Sequence, residues 1–177
     1  LLVPVAEATK GERLLLGVCE DKNYRTLVAA ALANDHVVVS KTPMDVNLSK
    51  QLVILIHDMG MPMERIVMDP TTRALGYGIE YGYSVMERLR LAALQGDGMI
   101  QQPLIVTPGE EAWKAKEAKA SDADAPQWGP AAERGVMWET VTATALLQAG
   151  ADILLLRPHK SMGVVRAALR ELMPAKS

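Results

Sequence analysis

Five short runs punctuate the chain at residues 13–19, 36–40, 65–69, 103–107 and 152–157, four of them almost continuous Val, Ile, Leu or Met. Runs of this length without polar alternation are what strands look like when helices cover both of their faces. Between the runs the apolar period becomes helical. Tyr24, Leu27, Val28, Ala31 and Leu32 recur at i, i+3, i+4, i+7 and i+8, a single stripe that Asn34 can close. The next helix has Thr42 as an expected N-cap, Pro43 at the first helical position and Asp45 in the first turn. Leu48, Leu52, Leu55, Ile56 and Met59 form its buried stripe, and Gly60 ends it before Pro62. A third helix runs to about Leu94, with Ser84 and Glu87 spaced like a capping box and a start that can lie earlier. Two more follow the fourth and fifth runs. One, from about Gly135, buries Trp138, Val141, Ala145, Leu146 and Ala149; the last, after Lys160, buries Val165, Leu169 and Leu172.

Two segments break this rhythm. Residues 1–10 read as the tail of a preceding helix or connection, so the chain is expected to begin in the middle of a fold. The fourth connection holds an extra short helix, with Glu110 and Glu111 at its start and Lys116 and Lys119 near its end, an order that suits the helix dipole. Residues 121–134 then carry Asp, Ala, Pro and Gly around Trp128 without periodicity, and long loops of this kind are often functional.

Strand and helix alternating over the whole length imply right-handed crossovers and a parallel sheet. Two architectures satisfy this: an open doubly wound sheet, favoured by length, and part of a barrel, favoured by the truncated opening. With 177 residues and 49% hydrophobic content, a single domain over 1–177 is expected. The charge is balanced, 19 Lys and Arg against 21 Asp and Glu, and implies no nucleic-acid or membrane partner. Cys19 is the sole cysteine, which excludes intrachain disulfides and a self-contained iron-sulfur cluster. No apolar run reaches the roughly 18 residues of a membrane span, and a cytoplasmic location is expected.

In either architecture, chemistry belongs where strands end and the following loops begin. Those positions hold Cys19, Glu20 and Asp21; Ser40, Lys41 and Thr42; Asp69, Thr71 and Thr72; Thr107 and Glu110; Arg157 and His159. Most such residues are polar simply because strand ends meet water. The most distinctive stretch is Asp69-Pro-Thr-Thr72 followed by Ala74-Leu-Gly-Tyr-Gly-Ile-Glu-Tyr-Gly-Tyr83. Its glycine spacing matches neither a dinucleotide fingerprint nor a P-loop, and its tyrosines can simply pack beneath the loop. Cys19 has no histidine placed near it, His57 sits at the end of an amphipathic helix, and His36 and His159 lack metal-site spacing. No catalytic residue and no metal ligand is therefore assigned.

The run Ile66-Val-Met-Asp-Pro-Thr-Thr72, with Ala74-Leu-Gly-Tyr-Gly-Ile-Glu80, Arg88-Leu-Arg-Leu-Ala-Ala-Leu94 and Gly96-Asp97, closely resembles the small (delta) subunit of the corrinoid iron-sulfur protein in the acetyl-CoA decarbonylase/synthase system. The likeness continues through Glu111-Ala-Trp113, Trp128-Gly129, Arg134-Gly135, Trp138-Glu139 and Ala149-Gly-Ala-Asp152. The resemblance implies a TIM-type (β/α)8 barrel, of which this chain would be the C-terminal five units. It further implies a methyl-carrying heterodimer of the reductive acetyl-CoA pathway. In that family a large (gamma) subunit holds the four-iron four-sulfur cluster and a corrinoid shared with the small subunit. A methyltransferase loads methyl groups from methyltetrahydrofolate or a tetrahydropterin, and CO dehydrogenase/acetyl-CoA synthase receives them. On this reading Asp69, Thr71, Thr72, Tyr77 and Lys41 are the expected corrinoid contacts. Arg157-Pro-His159 departs from the family's pattern at the last strand end. The alternative is a stand-alone, pterin-dependent methyltransferase-like barrel enzyme, since the family's barrel resembles that class.

Overall fold

A computed structural model describes residues 1–173, and the chain divides into two compact units. The first comprises Leu1–Thr71 and Val85–Ile105; the second comprises Thr72–Ser84 and the chain from Val106 onward.

In the first unit, helix α1 (Leu2–Ala8) precedes strand β1 (Leu15–Cys19), helix α2 (Tyr24–Asn34), strand β2 (Val37–Lys41), helix α3 (Val46–Asp58) and strand β3 (Ile66–Asp69). The strands pair in sequence order, β1-β2-β3, and both pairs are parallel, as the uninterrupted apolar runs predict. All four β3 residues are buried, and Leu104 adds a parallel bridge to Met68. Leu16, Val38, Val39, Ile66 and Met68 from the strands, with Val28, Ala31, Leu52, Val53 and Ile56 from the helices, make the core.

Two polar groups, one buried and one partly buried, tie this unit together. The His36 ring accepts the Leu14 N–H at Nδ1 (3.1 Å) and places Nε2 2.9 Å from the Ala6 carbonyl, which fixes the Nε2–H tautomer and fastens α1 to the sheet. The Arg65 guanidinium donates to the Ala31 and His36 carbonyls, just where α2 ends and β2 begins.

Helix α4 (Ile79–Leu94) carries the chain onward, and strand β4 (Ile105–Val106) leads into the second unit. There β4 pairs with β5 (Ile153–Leu154), with the Leu155 N–H donating to the Val106 carbonyl at 2.9 Å. Helices α5 (Pro108–Glu111) and α6 (Lys116–Lys119) fill the fourth connection, followed by α7 (Ala131–Gln148), β5 and α8 (His159–Leu172).

Several boundaries differ from the sequence reading. Thr42 is not an N-cap: helix α3 opens at Asp45, whose carboxylate accepts the Leu48 N–H at 2.9 Å, while the Thr42 hydroxyl is buried against Ser49. Ser84 and Glu87 lie inside α4, so their spacing is not a capping box. Leu48, Val141 and Leu172 are exposed; Ser49 and Val53 take the inner face of α3 instead. Strand β4 shrinks to two residues: Pro103 has no N–H to give a ladder, and the Thr107 N–H goes to the Thr72 hydroxyl. The extra helix of the fourth connection is two short ones, broken at Ala115, where ψ is 142°.

Candidate functional site

In the first unit, the parallel register sets Lys41 beside Asp69 at the carboxyl ends of β2 and β3. Asp69 is almost fully buried, with Lys41 Nζ 3.6 Å from Oδ2 and the Thr71 N–H 2.9 Å from Oδ1. The Thr71 hydroxyl donates to the Thr42 carbonyl at 2.6 Å, and the Thr42 N–H donates to the Asp69 carbonyl at 3.1 Å. Ser49 Oγ gives its proton to the Asp45 carbonyl, so the 2.7 Å contact with Thr42 has Thr42 as donor. Thr71 sits at φ +68°, a left-handed conformation that costs a β-branched residue about 1–3 kcal/mol. Its two hydrogen bonds, to Asp69 and Thr42, hold it there. The corner therefore presents one half-buried ammonium, Lys41, on a rigid hydroxyl and carboxylate scaffold.

Thr72 and Tyr77 belong to the second unit. Thr72 is buried, and its hydroxyl accepts the Thr107 N–H at 2.7 Å. Helix α7 grips Leu75 from two directions: Trp138 Nε1–H donates to its carbonyl at 3.0 Å, and its own N–H donates to Thr142 Oγ1 at 3.2 Å. Gly76, at φ +73°, then turns the chain against the Trp138 ring. Tyr77 follows with 46% of its surface exposed; its hydroxyl donates to Glu117 Oε2 at 2.9 Å and accepts the Lys116 N–H at 3.1 Å. The tyrosines do not all pack beneath the loop, since Tyr77 and Tyr81 both face solvent.

The sequence reading did not single out a second arrangement in this unit. Glu139 is fully buried, accepting the indole N–H of Trp113 on one oxygen and the Arg157 backbone N–H (2.9 Å) on the other. The exposed Arg157 guanidinium stacks 5.2 Å above the Trp113 ring. Glu139 shares its buried helix face with Gly135, Thr142, Ala143 and Leu146, and a carboxylate among such small and apolar residues is the signal that marks it. Cys19 is buried in the first unit, and burial pushes its thiol up to about 12, far from a nucleophile's range. Among the described residues no group of His, Cys, Asp and Glu could hold a metal ion, and no helix is long and apolar enough to cross a membrane.

Parallel strands paired in sequence order and alternating with helices make this an α/β protein, and the solved structures it resembles give it a TIM-barrel-like fold. Solved structures agree at the level of fold. A dihydropteroate synthase from Coxiella burnetii, in complex with pteroic acid, gives a TM-score of 0.55 at 12% identity over 86% of this chain and 58% of that one. A Yersinia pestis DHPS with a pterine-sulfa conjugate gives 0.55 at 14% identity over 97% and 74%. Sequence comparison is more specific: the chain belongs to the CO dehydrogenase/acetyl-CoA synthase delta subunit family, whose model matches residues 2–170. It is 44% identical over 170 residues to the acetyl-CoA decarbonylase/synthase complex subunit delta of Methanopyrus kandleri, covering 96% of this chain and 42% of that protein. The delta subunit of Methanothermobacter thermautotrophicus is 40% identical over 182 residues, covering 100% and 46%. The chain thus spans less than half the length of these relatives.

Proposed function

We propose that this chain forms part of a delta subunit that covers a corrinoid in a methyl-carrying assembly, without catalysing a step itself. The observation that carries this reading is the family match over residues 2–170, joined by a strand-end corner built of polar groups. The expected partners are a large (gamma) subunit that holds the corrinoid and a four-iron four-sulfur cluster, a methyltransferase, and CO dehydrogenase/acetyl-CoA synthase. When bound, the corrinoid supplies the methyl-accepting and methyl-donating chemistry.

The corner's donor set suits the amide side chains of a corrin ring. Lys41 keeps N–H groups beyond its 3.6 Å contact with Asp69 and donates to amide carbonyls. Thr71 Oγ1 spends its proton on Thr42, so it offers lone pairs to amide N–H groups. Asp69 holds both neighbours in place from a buried position. Thr72 and Tyr77 use their hydroxyls within the second unit; what Tyr77 still presents is its ring. The role of these residues is to orient and to exclude water rather than to move protons.

The test assembles the delta subunit with its corrinoid-bearing partner, with and without Lys41→Met, and follows the visible corrinoid spectrum and the rate of methyl transfer. Lys41→Met is expected to shift the spectrum or slow transfer while the partner's iron-sulfur signal stays unchanged. Identical spectra and rates would remove the corner from the contact. The alternative, a stand-alone pterin-dependent enzyme, draws only on the fold shared with dihydropteroate synthases. Tight binding of methyltetrahydrofolate by the isolated delta subunit would favour it.

A further inference from the structure

The second unit carries a cleft of about 640 Å³, within the usual range for ligand sites, lined by Glu117, Trp128, Glu133, Arg134, Met137 and Trp138. Its walls are flat and apolar. Two indoles and a thioether face the space, and Trp128 and Met137 are 40% and 63% exposed, a combination normally covered by something aromatic or planar.

The polar lining is one-sided in its chemistry. Arg134 is buried and already committed, donating to the Gly129, Glu117 and Ala120 carbonyls at 3.0, 2.8 and 2.7 Å, lying 3.3 Å from Asp122 Oδ1 and holding its guanidinium over the Trp128 ring, 5.9 Å from the centroid. The Trp138 indole N–H is committed to the Leu75 carbonyl. What remains facing the cleft is acceptor capacity: the Glu133 carboxylate and the Glu117 carboxylate, whose Oε2 takes one hydrogen bond from Tyr77. Asp122 balances the Arg134 charge, and the guanidinium is spent on protein carbonyls and the Trp128 ring, so the two remaining carboxylates leave the lining net negative, which disfavours anions and favours planar N–H-donating cations.

We propose that this cleft is a binding site for a planar, N–H-donating cation of the guanidinium or amidinium type. The cation slots against the Trp128 surface left exposed beside Arg134 and against the half-buried Trp138, and donates to Glu117 and Glu133. Such a group comes either free, as a small organic cation, or on an arginine of a partner subunit; the site chemistry is the same for both.

The experiment uses the full delta subunit and follows the indole fluorescence and indole N–H resonances during titration with benzamidine, neutral benzamide and anionic benzoate. One charge-assisted hydrogen bond separates the first two, so benzamidine is expected to bind saturably and benzamide about tenfold or more weakly. Benzoate is expected not to bind. Glu133→Gln, at an exposed position, should leave folding intact and weaken benzamidine several-fold, and Glu117→Gln should do the same. Equal responses to all three probes, no saturable shift, or benzamidine affinity unchanged in both variants would overturn the proposal. A tripeptide amide with arginine between two leucines identifies the source. Binding about tenfold tighter than benzamidine, lost on replacing arginine with citrulline, assigns the cation to a partner's arginine. Binding no tighter than benzamidine assigns it to a free small molecule.

Discussion

Two glycines in the second unit should respond to the same substitution with opposite signs. Gly135 lies inside α7 and Gly163 inside α8, and neither has a positive φ. In an ordinary helix interior, Gly→Ala stabilises by about 0.5–1 kcal/mol through the lost backbone entropy of the unfolded chain. At Gly163 nothing lies within 4 Å of the added methyl, so that gain should appear in full. At Gly135 the methyl would stand 2.5 Å from Cη2 and 2.6 Å from Cζ3 of Trp113. The indole must move, yet its N–H is bonded to buried Glu139 and its face carries the Arg157 guanidinium. Overpacking costs about 1–3 kcal/mol, and weakening a hydrogen bond to a charged acceptor adds up to about 1.5–3 kcal/mol. Less the helix gain, the net loss runs from near zero to about 5 kcal/mol, toward the upper end if the indole hydrogen bond is broken. Urea unfolding followed by tryptophan fluorescence reads this directly, because Trp113, Trp128 and Trp138 all lie in the second unit. Trp113→Leu should also rescue Gly135→Ala, since the two substitutions share one contact. A stabilised Gly135→Ala protein, or no coupling in the double variant, would refute the packing argument.

Other expectations rest on the first unit. The folded Cys19 thiol stays protonated until about pH 12, whereas the unfolded thiol ionises near 9.0; its contribution to stability is therefore full below pH 9 and falls between 9 and 12. Cys19→Ala should flatten that alkaline limb, and at pH 8 thiol reagents should label the native protein only as fast as it opens. His36→Leu leaves the Leu14 N–H and the Ala6 carbonyl without their partner, at about 1–3 kcal/mol, and hydrogen exchange should show α1 losing protection first. The hydrogen bond from Lys50 holds the Asp97 carboxyl below the usual carboxylate range. Its contribution is present above that range and is lost as pH falls through the depressed value. Lys50→Met should remove this acid limb at a cost of about 0.2–1 kcal/mol, and salt should shrink the effect in the parent protein.

The elements were legible because each depends on local period: five apolar runs became five strands, and the helical stripe from Tyr24 became α2. The starts of α3 and α4 were not, because capping is a contest between neighbours. Asp45 captures the Leu48 N–H, while Thr42 is drawn inward by Ser49 and Thr71. The pairing of Lys41 with Asp69 needed only parallel register, so the strand-end positions pointed to it. The Trp113, Glu139 and Arg157 cluster joins three separate segments, and no window of sequence displays such a meeting. The same holds for Arg134, a lone arginine in an aperiodic stretch until the carbonyls around it are seen.

That arginine makes residues 117–134 a closed loop, fastened by a non-covalent clasp on the Glu117, Ala120 and Gly129 carbonyls. Once a flexible loop is closed, its ring entropy depends only on the logarithm of its length, so doubling it costs about 0.6 kcal/mol. Extra residues inserted at the exposed Ala123 should therefore cost little beyond the Ser121–Asp124 turn bonds they interrupt. The clasp is less forgiving: Arg134→Lys supplies the charge but not the planar fork of donors, and the same loop would then have to pay its closure entropy with fewer bonds.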